Sequence, residues 1–222
     1  MRSKDRPNGS NRSFIEEARR RQIVETAIGI LASRGLEHLS LAEIAREAGC
    51  SKGVISYHFG GKARLMDAVL RRLLREPAAY VKTRVEAYGP AAERLAAYVE
   101  ANFEFMKTHR NQYEALVDLW GSRMDDEGRN RFYTEAYQPS RRYLSHIFED
   151  GRASGEFGNF PIETMSAVVQ ASIDGVMLQW VIDPDSVDLD DCKHEIMTMV
   201  NAHVARLMHA VDGGAAKQTR GA

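Results

Sequence analysis

The side chains best suited to recognising another molecule lie in one stretch, residues 40–62, which reads SLAEIAREAGCSKGVISYHFGGK. Hydroxyls, lysines, a tyrosine and a histidine are groups that proteins use to contact DNA phosphates and base edges. Lys52, Val54 and Tyr57 are the candidates for base contacts, Lys52 because a lysine can donate to the edge of guanine. The phosphate-side candidates are Ser40, Ser51, Ser56, His58 and Lys62. Backbone N–H groups at the start of a helix, around Gly53, would assist them.

A helix-turn-helix would position these side chains. Ser40 can cap a first short helix and Ser51 a second one, which is expected to run to about Phe59. Between them Gly49 stands where the chain must turn through a positive φ, a conformation that only glycine adopts cheaply. The residues expected to face inward are Ile44, Ala45 and Ala48 in the first helix and Val54, Ile55 and Phe59 in the second. In DNA-binding proteins with this motif the second helix enters the major groove.

Two short helices joined by a glycine turn also occur in all-α proteins of other classes. One alternative is a helical adaptor that binds protein and never DNA. Another is a small-molecule-binding protein or enzyme with an all-α cavity. Specific retardation of a DNA fragment would separate these alternatives from a DNA-binding regulator.

The stretch resembles the DNA-binding domain of the TetR family of transcriptional regulators. The family pattern of Ser or Thr, I-A, A-G-V-S, H-F, Lys and Leu is matched by Ser40, Ile44-Ala45, Ala48-Gly49-Cys50-Ser51, His58-Phe59, Lys62 and Leu65. Two positions depart from it: Cys50 replaces the usual Val, and Ser56 stands where the family has Tyr, with Tyr57 one place later. The segments RRRQIVETAI and GVISYHF are most similar in sequence to the choline-responsive repressors of that family.

The resemblance implies an all-α homodimer whose C-terminal domain holds a small-molecule pocket. In regulators of this family, ligand binding changes the separation of the two DNA-reading heads. The expected function is therefore that of a repressor that a small effector releases from a double-stranded DNA operator.

The charge distribution agrees with a DNA-binding front end. The chain has 222 residues, of which 44% are hydrophobic and 27% charged, and its net charge is −1. Residues 1–76 carry 15 Lys and Arg against 9 Asp and Glu, whereas residues 77–222 carry 15 against 22. A basic segment around a helix-turn-helix is the electrostatic pattern expected for phosphate binding. Arg19, Arg20 and Arg21 could lie on the DNA backbone, or form a solvated basic face.

No signature of catalysis or of a metal site is evident. The two cysteines, Cys50 and Cys192, have neither the number nor the spacing of a disulfide framework or a zinc site. Phosphate-binding loops and nucleophile elbows are absent from the sequence, so we expect no enzyme, no cofactor and no metal. The apolar runs are shorter than a membrane span, and the N-terminus lacks the apolar core of a signal peptide, so the expected location is the cytoplasm.

Apolar periodicity predicts about nine helices. Residues 1–13 are expected to be a disordered basic arm, 14–60 the DNA-binding domain, 61–76 a connecting helix, 77–211 a ligand-binding and dimerisation domain, and 212–222 a disordered tail. Pro77 should kink or break the fourth helix, and Pro139 should bend a long seventh helix over about 126–154.

The C-terminal part of the chain, 77–211, is expected to serve both dimerisation and ligand binding. Helix 8, about 162–182, and helix 9, from about 189, are strongly apolar and suit a four-helix interface across a two-fold axis. The pocket implied by the resemblance would draw on Phe103, Met106, Tyr113, Trp120, Tyr137, Asp174, Met177 and Trp180. Asp174 stands out as a carboxylate on an apolar helix, because an unpaired buried carboxylate is costly. It could meet an internal arginine, cap a neighbour or contact a ligand, and the first is favoured.

Overall fold

The computed structural model describes residues 9–121, 134 and 137–215, with side chains for 13–119, 134 and 137–204. These residues form nine α-helices and one 3-10 turn, Leu36–His38, and no strand. The helices are α1 (Gly9–Arg34), α2 (Leu41–Glu47), α3 (Lys52–Phe59), α4 (Lys62–Val85), α5 (Ala91–Thr108), α6 (Arg110–Gly121), α7 (Gln138–Ser154), α8 (Ile162–Ile182) and α9 (Leu189–Ala215). The predicted all-α fold is confirmed.

The chain divides into two compact units. The first unit comprises residues 1–73 and 114–122, and the second comprises residues 74–113 and 123–222. Each unit has its own set of buried apolar residues.

The core of the first unit is built on the apolar stripe of α1. Ile23, Ala27 and Leu31 recur at helical spacing and are at most 1% exposed. The buried residues that α2, α3 and α4 add to this unit are Ile44, Ala45, Ile55, Phe59, Leu65 and Val69. This packing fixes the two short helices of the predicted helix-turn-helix, which are too short to be stable alone.

Ion pairs also join α1 to α2. The Arg34 guanidinium contacts Glu43 at 2.5 Å and Glu47 at 3.0 Å. The hydrogen bond from Arg46 holds the pKa of the Glu43 carboxyl below its usual range. These pairs are solvent-exposed, so water screens them and they add little to stability, and apolar burial dominates.

The second unit packs α5, α7, α8 and α9 together. Phe148 of α7 meets Phe157 and Phe160 of the following connection edge to face, with ring centroids 5.9 and 5.3 Å apart. Lys193 of α9 reaches Glu100 of α5 at 2.9 Å. The predicted apolar face of α5 is buried at Leu95, Val99, Phe103 and Met106.

Of the kink or break predicted at Pro77, the break is wrong, because α4 continues without interruption from Lys62 to Val85. Proline removes one backbone hydrogen bond from a helix interior. Val81 and Val85, which follow Pro77 at helical spacing, are 5% and 0% exposed. Their burial holds the last turns of α4 in helical form despite the missing bond.

Other boundaries also differ from the expected ones. α1 begins at Gly9, five residues before Phe14, and α9 extends to Ala215, past the expected end at 211. α7 begins at Gln138 with Pro139 in its first turn, a position that suits proline because the first N–H groups of a helix need no internal acceptor. The rest of these predictions fall on residues 1–8, 122–133, 135–136 and 216–222, which lie outside the described residues.

Of the described helices, α8 alone is long and apolar enough to cross a membrane by length and composition. Its mean hydropathy reaches 1.3 over 18 residues, and 28% of that window is buried. One such helix is weak evidence for a membrane span, because core helices of soluble proteins pass the same test.

Candidate nucleic-acid interface and buried polar cluster

The two helix caps predicted in the helix-turn-helix are present. The Ser40 hydroxyl accepts a hydrogen bond from the Glu43 N–H at 3.1 Å, and the Ser51 hydroxyl accepts one from the Val54 N–H at 3.2 Å. Gly49 lies between the helices at φ 61°, as predicted. A side-chain cap satisfies one of the free N–H groups of the first turn and so fixes where each helix begins.

α3 is buried along one side and open along the other. Ile55 and Phe59 are buried as predicted, whereas Val54 is only partly buried. Tyr57 is 70% exposed, and its ring makes an edge contact with the half-buried His58 ring at 5.2 Å. The remaining exposed candidates are Ser40, Ser51, Lys52, Gly53, Ser56 and Lys62. All the DNA-contact candidates other than His58 and Val54 are thus exposed.

α1 supplies contacts to this motif that the sequence analysis missed. The Arg20 guanidinium donates to the backbone carbonyl of His58 and lies over the Phe59 ring, 4.4 Å from its centroid. The Gln22 amide donates to the carbonyl of Ala48 at 3.2 Å. Arg20 precedes the buried residue Ile23 by three positions, and that spacing was the signal available in the sequence.

A buried polar chain crosses the second unit. The Tyr98 hydroxyl donates to Oε1 of Gln170 at 2.7 Å, and Nε2 of Gln170 donates to Oδ1 of Asp174 at 2.8 Å. Oδ2 of Asp174 is buried and has no hydrogen-bond partner within the described part of the chain. An unpaired carboxylate oxygen in an apolar interior is costly, so it marks a place where a ligand donor would be stabilising.

Burial raises the pKa of Asp174 to about 6, while the Gln170 hydrogen bond and the Arg141 charge oppose that shift. Burial first, and the nearby Asp174 charge second, also raise the pKa of Tyr98 and of Tyr113. The sequence interpretation favours an internal arginine near Asp174. Arg141 acts on Asp174 in this way through its charge, while the hydrogen bond comes from Gln170.

The other candidates for the ligand pocket differ in how deeply they are buried. Phe103, Met106, Tyr113 and Met177 are buried in the second unit. Tyr137 and Trp180 are partly exposed, and each faces a guanidinium, Arg141 at 5.8 Å and Arg110 at 4.8 Å from the ring centroids. The Trp120 side chain lies outside the described residues, and its backbone belongs to the first unit.

Three further buried polar atoms have no partner within the described ranges: Nε of Arg141, the Tyr143 hydroxyl and Oε1 of Gln112. No group of three or more His, Cys, Asp or Glu in that part of the chain has the arrangement of a metal site. The chain of Tyr98, Gln170 and Asp174, called the polar cluster below, can therefore offer hydrogen bonds, one carboxylate and an aromatic face to a small molecule.

Two family models match the two halves of the chain. Residues 23–69 match the bacterial regulatory proteins of the tetR family, and residues 91–209 match the C-terminal domain of BetI-type transcriptional repressors. The chain belongs to the TetR family. It is a DNA-binding transcriptional regulator whose C-terminal half is of BetI repressor type.

Relatives of this TetR-family chain extend over nearly its whole length. The HTH-type transcriptional regulator BetI of Vibrio parahaemolyticus is 25% identical over 201 residues, which cover 89% of this chain and 98% of the relative. A transcriptional regulator from Pseudomonas aeruginosa PAO1 shares the fold with a TM-score of 0.76 at 22% identity, covering 87% of this chain and 94% of that one. A regulator from Saccharomonospora viridis, solved in complex with choline, has a TM-score of 0.73 at 23% identity and covers 83% and 96%.

Proposed function

We propose that this TetR-family regulator is a homodimeric repressor that leaves its operator when a small cationic effector binds at Asp174. The observation that carries the effector part is the buried, unpartnered Oδ2 of Asp174 beside buried tyrosines. The proposal takes residues 14–60 as the DNA-binding domain, 61–76, which cover the first part of α4, as the connecting segment, and 77–211 as the sensing and dimerisation domain.

In this proposal α3 is the recognition helix. Its exposed side carries Lys52 and Tyr57, and Val54 is accessible enough to meet a base edge. Lys52 and the free N–H groups near Gly53 lie at the start of the helix, where the helix dipole favours the negative phosphate backbone. Ser40, Ser51, Ser56, His58 and Lys62 are assigned to phosphates. The hydroxyls of Ser40 and Ser51 accept hydrogen bonds from the backbone N–H groups that they cap. Each hydroxyl can still donate its own hydrogen to a phosphate oxygen.

Dimerisation is proposed through α8 and α9. Val168 and Ile182 of α8 are 54% and 73% exposed, and Met199 of α9 is 59% exposed. Apolar side chains exposed on two neighbouring helices favour an interface with a second copy of the chain. A two-fold dimer would carry two recognition helices to half-sites about one DNA turn, roughly 34–36 Å, apart.

A cation is the effector chemistry that fits the cluster. A positive charge would satisfy the Asp174 carboxylate, and the faces of Tyr98, Tyr113 or Tyr137 can stabilise a quaternary ammonium group. The Saccharomonospora viridis regulator of the same fold was solved with choline, which makes choline the first probe to use. We also propose that the protein acts in the cytoplasm by binding alone, without a catalytic step.

The experiment is operator binding with and without choline. A duplex is selected from a random-sequence pool with the full chain, and retardation of that duplex is then measured over a series of choline concentrations. We expect specific retardation that choline relieves, and relief that is lost in Asp174→Asn while DNA affinity without choline is kept. If choline and other ammonium compounds leave the retardation unchanged, the effector is not a cation of this class. If no sequence is enriched from the pool, the protein is not a sequence-specific DNA-binding protein.

A further inference from the structure

Both short helices of the helix-turn-helix end on a side-chain donor from α1. The last carbonyl groups of an α-helix receive no hydrogen bond from within the helix, so their donors must come from elsewhere. Arg20 donates to the His58 carbonyl in the last turn of α3, and Gln22 donates to the Ala48 carbonyl that closes α2. α1 therefore fixes the C-terminal end of each helix, while Ser40 and Ser51 fix the N-terminal ends.

Arg20 continues the buried stripe of α1 by one turn. It precedes Ile23, Ala27 and Leu31 by three, seven and eleven residues, the spacing that places all four on one face of the helix. Its side chain is partly buried, and the guanidinium lies 4.4 Å from the centroid of the buried Phe59 ring. A guanidinium held by a ring and a carbonyl is not a freely mobile phosphate ligand.

The charge of Arg20 also suits the position. The C-terminal end of a helix carries partial negative charge, so a cation that donates there stabilises the helix end. Next to it, the Tyr57 hydroxyl approaches a Glu16 carboxylate oxygen at 3.5 Å, again between α3 and α1. These contacts oppose rotation of α3 about its own axis.

We propose that Arg20 is a positioning residue for base recognition: it holds the recognition helix at a fixed rotation through the His58 carbonyl and the Phe59 ring. The proposal rests on the assignment of α3 as recognition helix made above. It separates Arg20 from its neighbour Arg21, which is exposed and remains available to the DNA backbone. It also predicts that a charge outside the DNA-contact surface controls sequence discrimination.

The test compares Arg20→Met with Arg21→Ala as the matched control. Two duplexes of equal length are used, one selected from a random pool by the wild-type chain and one of scrambled sequence, over 50–200 mM salt. Loss of a phosphate contact makes the negative slope of log affinity against log salt shallower by about 0.9. It weakens binding to both duplexes equally. Loss of helix position should reduce the ratio of the two affinities, because misplacing base contacts affects the selected duplex alone.

We expect Arg20→Met to lower that ratio about tenfold or more with the salt slope unchanged, and Arg21→Ala to leave the ratio unchanged. Amide hydrogen exchange should rise in Arg20→Met for peptides spanning 52–60. Arg20→Lys, which keeps the charge and one donor, should recover part of the ratio. It replaces Arg20→Met if that variant does not fold.

If Arg20→Met lowers the affinity for both duplexes equally, or lowers neither, the affinity ratio stays unchanged and the proposed role of Arg20 is wrong. If no sequence is enriched from the pool, the assignment of α3 fails instead. The exchange measurement then still decides whether Arg20 holds this helix in place, so the two failures are distinguishable.

Discussion

Nε2 of Gln170 donates to Oδ1 of Asp174 one helical turn away on α8, and this is the hydrogen bond that the buried carboxyl group receives in the structure. Its other oxygen, Oδ2, has no partner among the described residues. Burial raises the pKa of Asp174 to about 6, so the group changes charge close to neutral pH. A ligand that supplies a donor or a positive charge to Oδ2 would stabilise the ionised form and lower that pKa.

Asp174→Asn is expected to stabilise the protein at neutral pH. The folded-state pKa of Asp174 lies above the ordinary value of 3.8 for this carboxyl group, so the ionised group opposes folding above about pH 6. That penalty, on the order of 1–3 kcal/mol, disappears as pH falls from about 6 to about 4 because the folded state takes up a proton first. Urea unfolding at several pH values would measure the difference between variant and wild type.

The control for this titration is Asp185→Asn, which alters an exposed carboxyl group in the loop after α8. Taking the difference between each variant and wild type removes the pH dependence that both proteins share. A stability difference for Asp174→Asn that stays constant between pH 4.5 and pH 8 would show that the carboxyl is solvated normally in the folded protein.

Gly151→Ala should destabilise the second unit strongly. Gly151 is buried on α7, and a Cβ there would stand 2.1 Å from the Phe157 ring, which packs edge to face on Phe148. Such overlap forces the ring or the helix to move, at a cost of about 1–3 kcal/mol or more. Gly29→Ala on α1 meets no atom within 4 Å and should instead stabilise by about 0.5–1 kcal/mol. Thermal unfolding of both variants tests the contrast, and a stable Gly151→Ala protein would contradict it.

Ser51→Ala should weaken the recognition helix by removing its N-terminal cap. The hydroxyl accepts from the Val54 N–H at 3.2 Å, and loss of such a cap costs about 1 kcal/mol. Ser33→Ala is the matched control, because this exposed serine bonds to the carbonyls of Gly29 and Ile30 within its own helix, α1, and caps no helix end. That change is expected within about 0.5 kcal/mol of wild type. Equal effects in denaturant unfolding would argue that the Ser51 cap is not formed in solution.

Local features of the DNA-binding head were predictable from the sequence. The caps at Ser40 and Ser51 and the positive φ of Gly49 depend on residues within four positions, and a local pattern contains that information. The continuity of α4 through Pro77 was not predictable in this way. It depends on the burial of Val81 and Val85, which is a tertiary property.

The polar cluster shows the same division. Gln170 and Asp174 are four residues apart on one helix, so their contact was within reach of a sequence argument based on helical neighbours. Tyr98 lies 72 residues away along the chain, and no local pattern pairs it with Gln170. Likewise, the basic neighbours of Arg20 indicate a charged face and a possible phosphate ligand, whereas its contact with the His58 carbonyl depends on the tertiary fold.

Lys52 and Lys62 should differ in what they contribute to DNA binding. Both are exposed, but Lys52 opens α3 and Lys62 opens α4, beyond the end of the recognition helix. Lys62→Ala should weaken all duplexes about equally and reduce the salt slope by roughly one unit, since a phosphate contact carries no sequence information. Lys52→Ala should lose about 1–3 kcal/mol of discrimination between selected and scrambled DNA, because a donor to a guanine edge is removed. Retardation of both duplexes at several salt concentrations measures each quantity, and the same response from the two variants would exclude this division between base and backbone.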